Sequence, residues 1–570
     1  MFESKTKNLN KIKLNLTIVG NLLLFELKKK AKQSRKAQEA VLRDILTISK
    51  DTEFGRKYQF ERILSSVNDF SLMDLYEEFV PVSQYEDLYP YIERHKNGEE
   101  NILFPGKPKM YATTSGTTNE PKWIPITEKY YHEVYNRMSP IWLYSFIAKR
   151  KHAFDGSIVS NVGKAIQGAA PDGTVYGSIA GVTQRDCPPF IKAMFASPSD
   201  IFMIEDYKAR YYAIMRMGIE RDVHLVIGGN PSTFIEMQNN VDEFLGEYIK
   251  DIEQGTLSQL FHIPEEVRQA VKPYLKPNPK RANALREMKK NYPRLLPKHY
   301  WPNLQVLNVW KFGNSAVYFE KIKDFFPETC YFMEQGYFSP ECRPGVVIDP
   351  DTDSTVIFPH KNYFEFVREK DIDKKKPKFF HLDELKVGER YCIYVTTYSG
   401  LYRYNLNDLV EVTGFYEQTP MVRFVQKVNG IISMSGEKLN ENQFISVVRQ
   451  VEIEFSKKLL FFIGFASIKE SRYHIYYEFQ DDNIPDDLVT RFTARVDAIL
   501  KSKNMEYADK RELGRVDAPI GHLLQIHAFE IFKSRIIDQG LYKDRFRLNY
   551  LMQDELRHGM FKKLIKRKFS

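Results

Sequence analysis

The spacing of apolar residues near the start of the chain predicts a layer of helices. Between residues 37 and 49 the apolar side chains recur at helical spacing, at Val41, Leu42, Ile45, Leu46 and Ile48. The run at 52–55 interrupts this pattern, so the predicted helix ends before it. A second apolar stretch, residues 16–25, is too short to cross a bilayer. We predict a helix that lies on the body of the protein, with a peripheral membrane anchor as the alternative.

The middle of the chain has the alternation that is typical of an α/β domain. A long helical pattern covers residues 128–151, and a short apolar run at 224–227 leads into the turn sequence Gly-Gly-Asn-Pro at 228–231. Another apolar run, at 304–310, follows a connector rich in Lys, Arg and Pro. Strands that alternate with helices predict sheets with flanking helices.

Beyond residue 350 the pattern changes to short β-branched and aromatic runs. They predict strands at 355–358, 363–367 and 391–397, which we assign to a β subdomain at about 346–426. The remaining pattern predicts a helix at 441–458, strands at 459–468 and 474–479, a helix at 485–501 and a strand at 525–532. The predicted fold class is therefore α/β, with a large N-terminal domain, residues 1–428, and a small α+β domain, residues 429–570.

Composition and charge narrow the class of protein. A chain of 570 residues with 43% hydrophobic residues is too long for one ordinary core. Much of the net charge of +9 lies at residues 28–36 and 561–570, which argues against a nucleic-acid groove. Both runs are typical of solvated helix faces, and attraction to an anionic membrane surface is the alternative. Four widely spaced cysteines without a Cys-x-x-Cys pair predict a reduced, cytoplasmic protein without structural zinc.

The first candidate for chemistry is a hydroxyl-rich loop at residues 113–122, Thr-Thr-Ser-Gly-Thr-Thr-Asn-Glu-Pro-Lys. Its backbone N–H groups and hydroxyls can surround phosphate oxygens, Gly116 permits close approach, and Lys122 adds positive charge. It is not a Walker A loop, in which the lysine follows a glycine. In isolation such a stretch is more often a surface loop that bonds its own backbone, so its interpretation depends on segments downstream.

Two downstream segments supply an aromatic ring and two carboxylates. Tyr337 lies four residues before Glu341, a spacing that suits base stacking and Mg²⁺ binding at an ATP site. The run Thr-Thr-Tyr-Ser-Gly-Leu-Tyr-Arg-Tyr at 396–404 leads to Asp408, whose carboxylate can accept both ribose hydroxyls. Each segment alone is more often ordinary core with one exposed acid.

The order of these segments resembles the adenylate-forming (ANL) enzymes. The loop matches their T-S-G-T-T-G-x-P-K pattern except for Asn119, and asparagine tolerates a left-handed backbone best after glycine. The chain resembles more closely the auxin-responsive Gretchen Hagen family of acyl acid amido synthetases, including its bacterial members. The family motif Y-x-x-S-E is similar to residues 337–341. The motif T-T-Y-x-G-L-Y-R-Y-x-x-x-D-V is nearly complete at 396–410, with Asn407 in place of a glycine.

That resemblance implies an enzyme that uses ATP and Mg²⁺ to adenylate a carboxylic acid and join it to an amino acid or another amine. It implies small-molecule partners, no nucleic acid, no transmembrane segment and a mobile C-terminal domain. Glu341 would bind Mg²⁺. The implied catalytic residues are Arg403, Lys438 and Arg547, with Lys543 as the alternative to Arg547. The implied ATP contacts are Thr114, Ser115, Gly116, Thr117, Thr118, Lys122, Gly313, Ser315, Tyr337, Ser339 and Asp408.

Two departures from the family pattern leave other functions open. Pro340 stands where the family has a hydroxyl, and Arg547 stands in place of a lysine. One alternative is a thioester-forming ligase that uses coenzyme A, and the other is a catalytically silent nucleotide-binding scaffold. The near-complete motif at 396–410 favours the amide-forming branch. The acyl acid would bind near residues 128–151 and 163–180, but the sequence identifies neither the acid, nor the amine, nor the oligomeric state.

Overall fold

The chain divides into two compact units, Met1–Phe424 and Val425–Ser570. The computed structural model describes residues 2–568 except 67–70, 115–121, 313–314, 373, 429–430, 433, 435–436, 438, 468, 482, 486, 513, 515 and 539–548. Each unit has its own sheets and its own helices, which confirms the predicted α/β fold class.

Helices form much of the first unit and begin with the predicted N-terminal layer. The helix predicted at 37–49 lies within α2, which buries Val41, Leu42, Ile45 and Leu46. Within the described residues, no helix has both the length and the apolar character that a bilayer crossing needs. The helices are α1 (Phe2–Ala31), α2 (Ser34–Ser49), α3 (Glu53–Lys57), α4 (Phe60–Ser65), α5 (Leu72–Phe79), α6 (Tyr85–Lys96), α7 (Glu128–Tyr130), α8 (Arg137–Lys149), α9 (Ile179–Arg185), α10 (Pro189–Lys192), α11 (Tyr207–Ile219), α12 (Ser232–Gln254), α13 (Glu265–Val271), α14 (Pro279–Asn291), α15 (Pro297–Tyr300) and α16 (Ala316–Ile322).

A π-helical turn, Tyr131–Asn136, joins α7 to α8. The three segments together match the long helix predicted at 128–151. Short π-helical turns inside α-helices occur frequently at functional sites.

The strands of the first unit, as far as it is described, form three sheets. Their orders are β2-β1-β5-β4, β3-β6-β7-β8 and β11-β12-β13-β14-β10-β9. In chain order the strands are β1 (Met110–Thr114), β2 (Lys122–Ile126), β3 (Ser157–Ser160), β4 (Gly168–Ala169), β5 (Val175–Gly177), β6 (Val223–Ile227), β7 (Val306–Val309), β8 (Tyr331–Glu334), β9 (Gly345–Val346), β10 (Thr355–Ile357), β11 (Tyr363–Arg368), β12 (Arg390–Thr396), β13 (Tyr404–Tyr416) and β14 (Thr419–Lys427).

The sheet β3-β6-β7-β8 is wholly parallel. Every residue of β6 and β7 is buried, as expected for strands that are covered on both faces. In open parallel sheets, ligands bind beyond the carboxyl ends of the strands. Here those ends lead to the turn at 228–229, to Trp310 and to the segment 335–341.

The hairpin of β1 and β2 fixes the two ends of the hydroxyl-rich loop. The two strands are antiparallel, and their register places Thr114 opposite Lys122. β1 also pairs with β5, in parallel, so the hairpin is anchored in a larger sheet.

The second unit has a five-stranded sheet of order β20-β17-β18-β19-β21 and a small pair, β15-β16. The strand predicted at 525–532 is wrong, because β19 ends at Leu524 and a helix begins at Ala528. Ala528, Phe532 and Ile536 are buried at a spacing of four residues, the period of a helix. The elements are β15 (Ile431–Ile432), β16 (Leu439–Asn440), α17 (Glu441–Glu454), β17 (Leu459–Ser467), β18 (Arg472–Phe479), α18 (Leu488–Lys503), α19 (Met505–Glu512), β19 (Asp517–Leu524), α20 (Ala528–Asp538), β20 (Leu551–Met552), α21 (Glu555–Lys562) and β21 (Ile565–Lys568).

Candidate functional site

The described end of the hydroxyl-rich loop is held by a tyrosine at the start of α6. The Lys122 ammonium lies 5.1 Å from the centroid of the Tyr85 ring. The backbone N–H of Trp123 donates to the Tyr85 hydroxyl at 2.8 Å. Ser115, Gly116, Thr117 and Thr118 lie outside the described residues, as does the side chain of Thr114.

The segment before Tyr85 is bonded to the motif at 396–410. The Ser83 N–H donates to the Arg403 carbonyl at 3.0 Å, and the Asn405 N–H donates to the Ser83 carbonyl at 2.9 Å. The Asn407 side-chain amide donates to the Gln84 amide oxygen at 2.9 Å. Asn407 has a φ of 52°, a left-handed conformation that asparagine tolerates. The loop and the motif are therefore joined through residues 83–85.

Tyr337 and Asp408 meet directly, although they are far apart in sequence. The Tyr337 hydroxyl donates to Asp408 Oδ2 at 2.8 Å, and both residues are buried. Burial, followed by the nearby Asp408 charge, raises the pKa of Tyr337 well above its usual value. The phenol thus remains a hydrogen-bond donor that fixes the direction of the carboxylate. The Tyr337 ring also stacks on Phe424, with 5.9 Å between the centroids.

Glu341 lies on a tight turn beside this pair. The Ser339 N–H donates to the Cys342 carbonyl at 2.9 Å, and the Cys342 N–H donates back to the Ser339 hydroxyl at 3.3 Å. Burial raises the pKa of Cys342 well above its usual value, and the charges of Glu341 and Asp408 add to that shift. Both carboxylates therefore act on the same small region, so the structure brings together three of the predicted site residues.

A single half-buried carboxylate, Glu341, fits a metal ion that arrives with a nucleotide. Mg²⁺ keeps several waters and takes only one or two protein carboxylates when phosphates complete its shell. Across the described ranges, no cluster of three or more His, Cys, Asp or Glu side chains could hold a metal by itself.

Glu334, at the end of β8, is a site residue to which sequence reasoning assigned no role. Its carboxylate accepts the backbone N–H of Lys311 at 2.7 Å and that of Gly336 at 3.0 Å. Burial raises its pKa to about 7. The Trp310 indole N–H adds a bond of 3.0 Å to the Gly336 carbonyl. Glu334 thus joins the carboxyl ends of two parallel strands next to Tyr337. The sequence signal that could have indicated this role was a single acidic residue at the end of an apolar strand.

Arg403 belongs to the scaffold rather than to the open part of the site. Its guanidinium pairs with buried Glu365 at 2.8 Å and donates to the carbonyls of Glu77 and Val80. Its φ of 43° is unusual for a residue with a side chain, and its N–H is held by the Thr396 hydroxyl at 3.0 Å. The resemblance places Arg403 among the catalytic residues, whereas these contacts tie helix α5 to the β subdomain.

The remaining predicted residues are described only in part. Ser315 directly precedes α16 and is partly exposed. Gly313, Lys438, Lys543 and Arg547 lie outside the described residues.

Arg343 is a second residue of this region for which the sequence predicted no role. Burial lowers its pKa to about 10. One guanidinium nitrogen donates to the Ser139 hydroxyl at 3.0 Å, and the backbone N–H donates to the Tyr130 hydroxyl at 3.3 Å. Arg343 therefore bonds to both helices that flank the π-helical turn and places a desolvated cation beside them.

Sequence models of one family match most of the chain. The GH3 family N-terminal domain matches residues 23–331, the GH3 family central domain matches 355–427, and the GH3 family C-terminal domain matches 442–555.

Two plant enzymes and one solved structure illustrate the similarity. The indole-3-acetic acid-amido synthetase GH3.5 of Arabidopsis thaliana is 27% identical over 506 residues, which is 81% of this chain and 79% of the relative. The jasmonoyl–L-amino acid synthetase JAR4 of Nicotiana attenuata is 26% identical over 454 residues, 75% of this chain and 74% of the relative. The structure of AtGH3.15 acyl acid amido synthetase in complex with 2,4-DB superposes with a TM-score of 0.82 at 21% identity. It covers 96% of this chain and 97% of that one, and it supports the same fold.

Proposed function

The chain belongs to the GH3 family, and from that premise we propose that it is an ATP-dependent acyl acid amido synthetase. The observation that carries the proposal is the set of contacts that joins Lys122 to Asp408. Lys122 lies over Tyr85, residues 83–84 bond to the motif that bears Asp408, and Asp408 accepts the Tyr337 hydroxyl. A lysine that can pair with phosphate and a carboxylate that can accept ribose hydroxyls, held on one framework, suit a nucleotide.

In the first half-reaction, a carboxylate oxygen of the acyl acid attacks the α-phosphorus of ATP, and the bond to pyrophosphate breaks. Lys122 would offset the charge of the departing phosphates, together with the backbone of residues 114–118. Asp408 would accept the ribose hydroxyls, and the ring of Tyr337 would pack on the adenine. Glu341 would hold Mg²⁺, which neutralises phosphate charge when bound.

In the second half-reaction, the nitrogen of an amino acid attacks the acyl carbon and the bond to AMP breaks, while one amine proton passes to solvent. No side-chain nucleophile is needed, because the acyl adenylate is already activated. Lys438 and Arg547, the residues that the resemblance implies for this step, would supply positive charge to it. Arginine in the position of a lysine keeps the charge and changes the donor geometry.

The acyl group would lie against the helices around the π-helical turn, where Arg343 supplies a cation. A desolvated guanidinium favours an acid with a polar or anionic group besides the reacting carboxylate, since that group would pair with the charge. The amine and the particular acid are left to experiment.

The experiment that tests the function measures AMP and pyrophosphate release from Mg·ATP by the purified chain. Carboxylic acids are crossed with amino acids and, in a parallel series, with coenzyme A. Turnover that requires an acid and an amino acid would support the proposal, and turnover with coenzyme A would select the thioester branch instead. ATP binding with no turnover for any pair would favour a silent scaffold. The Lys122→Met variant is the control, because it should lose acid-dependent pyrophosphate release while remaining folded.

A further inference from the structure

Helix α1 carries an apolar stripe on its solvent-facing side. Leu14, Ile18, Leu22 and Phe25 have exposed fractions of 59%, 49%, 65% and 72%. At the 3.6 residues per turn of an α-helix, these four side chains fall within an arc of about 80°. Single exposed apolar residues are normal on protein surfaces. Four of them on one arc form a patch of the kind that marks a binding face.

The opposite side of α1 is fixed to the first unit, so the helix cannot turn the stripe inward. Leu16 and Leu27 are buried on that side. Gly20 packs so closely on Tyr144 of α8 that an added Cβ would lie 2.6 Å from that side chain. An ion pair between Glu26 and Arg137, at 2.5 Å, holds the helix further. The exposed stripe is therefore a second face and not a displaced core face.

Exposed lysines follow the stripe along the chain. Lys29, Lys30, Lys32 and Lys36 are exposed, and among the described residues none of them has a carboxylate within ion-pair distance. Neighbouring cations do have one: Lys28 lies 3.7 Å from Glu417, and Arg35 lies 2.9 Å from Asp383. The chain that continues from the stripe thus carries exposed lysines that no carboxylate of the described residues pairs.

We propose that α1 docks on an anionic lipid membrane, lying in the plane of the interface with the stripe among the acyl chains and the lysines at the phosphate groups. An apolar face beside lysines is what an interfacial helix presents to such a surface. Each lysine near an anionic surface adds attraction that fades within a Debye length. A second copy of the chain fits less well, since it would bring the same positive charge to the contact.

The test is co-sedimentation of the full chain with vesicles of phosphatidylcholine, with or without phosphatidylserine. We expect binding to the phosphatidylserine vesicles that weakens at high salt, and much weaker binding to phosphatidylcholine alone. The double variant Leu22→Ser/Phe25→Ser should bind the vesicles about tenfold more weakly, because two apolar side chains no longer enter the lipid acyl chains. The triple variant Lys29→Gln/Lys30→Gln/Lys32→Gln should lose the preference for phosphatidylserine.

The matched control is Leu260→Ser/Leu556→Ser, which removes two side chains with exposed fractions of 64% and 76% that lie outside α1. It should bind like the unmodified chain. All of these side chains are exposed, so melting temperatures should not change. The proposal is overturned if the unmodified chain ignores phosphatidylserine vesicles, or if the stripe variant still binds them. It is also overturned if the stripe instead drives formation of a dimer that the serine variant abolishes.

Discussion

Two segments of the first unit carry the family motifs, and they use their side chains in opposite ways. In the segment 396–404, the Tyr402 hydroxyl donates to the Leu103 carbonyl at 2.5 Å and Arg403 pairs with Glu365. Those groups hold other parts of the protein in place. In the segment 337–341, Tyr337 points at Asp408 and Glu341 sits half-buried on a turn. The segment 396–404 therefore builds the scaffold, and we expect the segment 337–341 to present groups to a ligand.

The largest effect is expected from removing the ion pair that holds the segment 396–404 in the scaffold. Glu365→Ala should lower the free energy of unfolding by about 3 to 5 kcal/mol, because Arg403 would be left buried without its carboxylate. Chemical denaturation of the purified chain measures the change. Glu99→Ala is the control, because it removes a carboxylate from an exposed pair with Arg94 and should leave the transition where it is. An equally small shift for both variants would contradict the scaffold role.

The next largest effect is expected from Glu341, in the segment 337–341. Glu341→Ala should lower the rate of acid-dependent pyrophosphate release by about a thousandfold, or ~4 kcal/mol, since the metal-bound phosphates lose their anchor. Its unfolding transition should stay unchanged. Glu86 is an exposed carboxylate whose charge acts on Tyr404 as that of Glu341 does, so Glu86→Ala is a matched control that should keep activity. Full activity of the Glu341 variant would remove the proposed metal role.

A smaller effect is expected from Asp408, which accepts the Tyr337 hydroxyl and so links the two motifs. Asp408→Ala should raise KM for ATP about thirtyfold, or ~2 kcal/mol, with a modest change in kcat, because hydrogen bonds to a charged group are lost. If Tyr337 acts by fixing the direction of Asp408, Tyr337→Phe should raise KM in the unmodified chain and have no further effect in the Asp408→Ala background. Additive effects in this double-mutant cycle would show that the two residues act separately.

The smallest effect concerns Glu334, which lies outside both segments and accepts the backbone N–H of Gly336, next to Tyr337. Its pKa of about 7 lies above the ordinary carboxyl value of 4.5, so between these values the folded chain binds more protons than the unfolded chain. The contribution of Glu334 to stability is therefore fully present below the ordinary value and is lost as the pH rises through about 7. Glu334→Gln should remove that dependence of stability on pH.

Ionisation of Glu334 should weaken stability and strengthen ATP binding, so the two should depend on pH in opposite directions. The ionised carboxylate accepts two backbone N–H groups next to Tyr337, so KM for ATP should rise about threefold as the pH falls through neutrality. The glutamine variant should show a flat profile at the higher KM. A sloping profile in the variant, parallel to that of the unmodified chain, would assign the titration to another group.

The sequence predicted the architecture well where one period dominates. The buried strand at 224–227 was found because a turn sequence follows its apolar run, and the helix at 37–49 was found because its apolar residues recur over several turns. The strand predicted at 525–532 failed, because its apolar residues also fit the four-residue spacing of helix α20. At so short a length the two periods are hard to separate.

At the site, the sequence found the groups that match a motif and missed those that hold them. Tyr337, Asp408 and Lys122 were all predicted, and the structure joins them. Tyr85 and Glu334 were not, because their role is created by tertiary contacts with backbone groups far away in the chain. A single acid or tyrosine in an apolar run has no local pattern that distinguishes a tether from an exposed residue.

The pairing of Thr114 with Lys122 has a consequence for how this loop can change in length. Closing a somewhat longer loop between two fixed ends costs little entropy, since the cost grows only with the logarithm of its length. A slip of one residue in the pairing is different, because it would turn Lys122 to the other face of the sheet. Insertions between the two strands should therefore be tolerated in the fold, whereas a single deletion within β2 would remove the lysine from the site while leaving the hairpin intact.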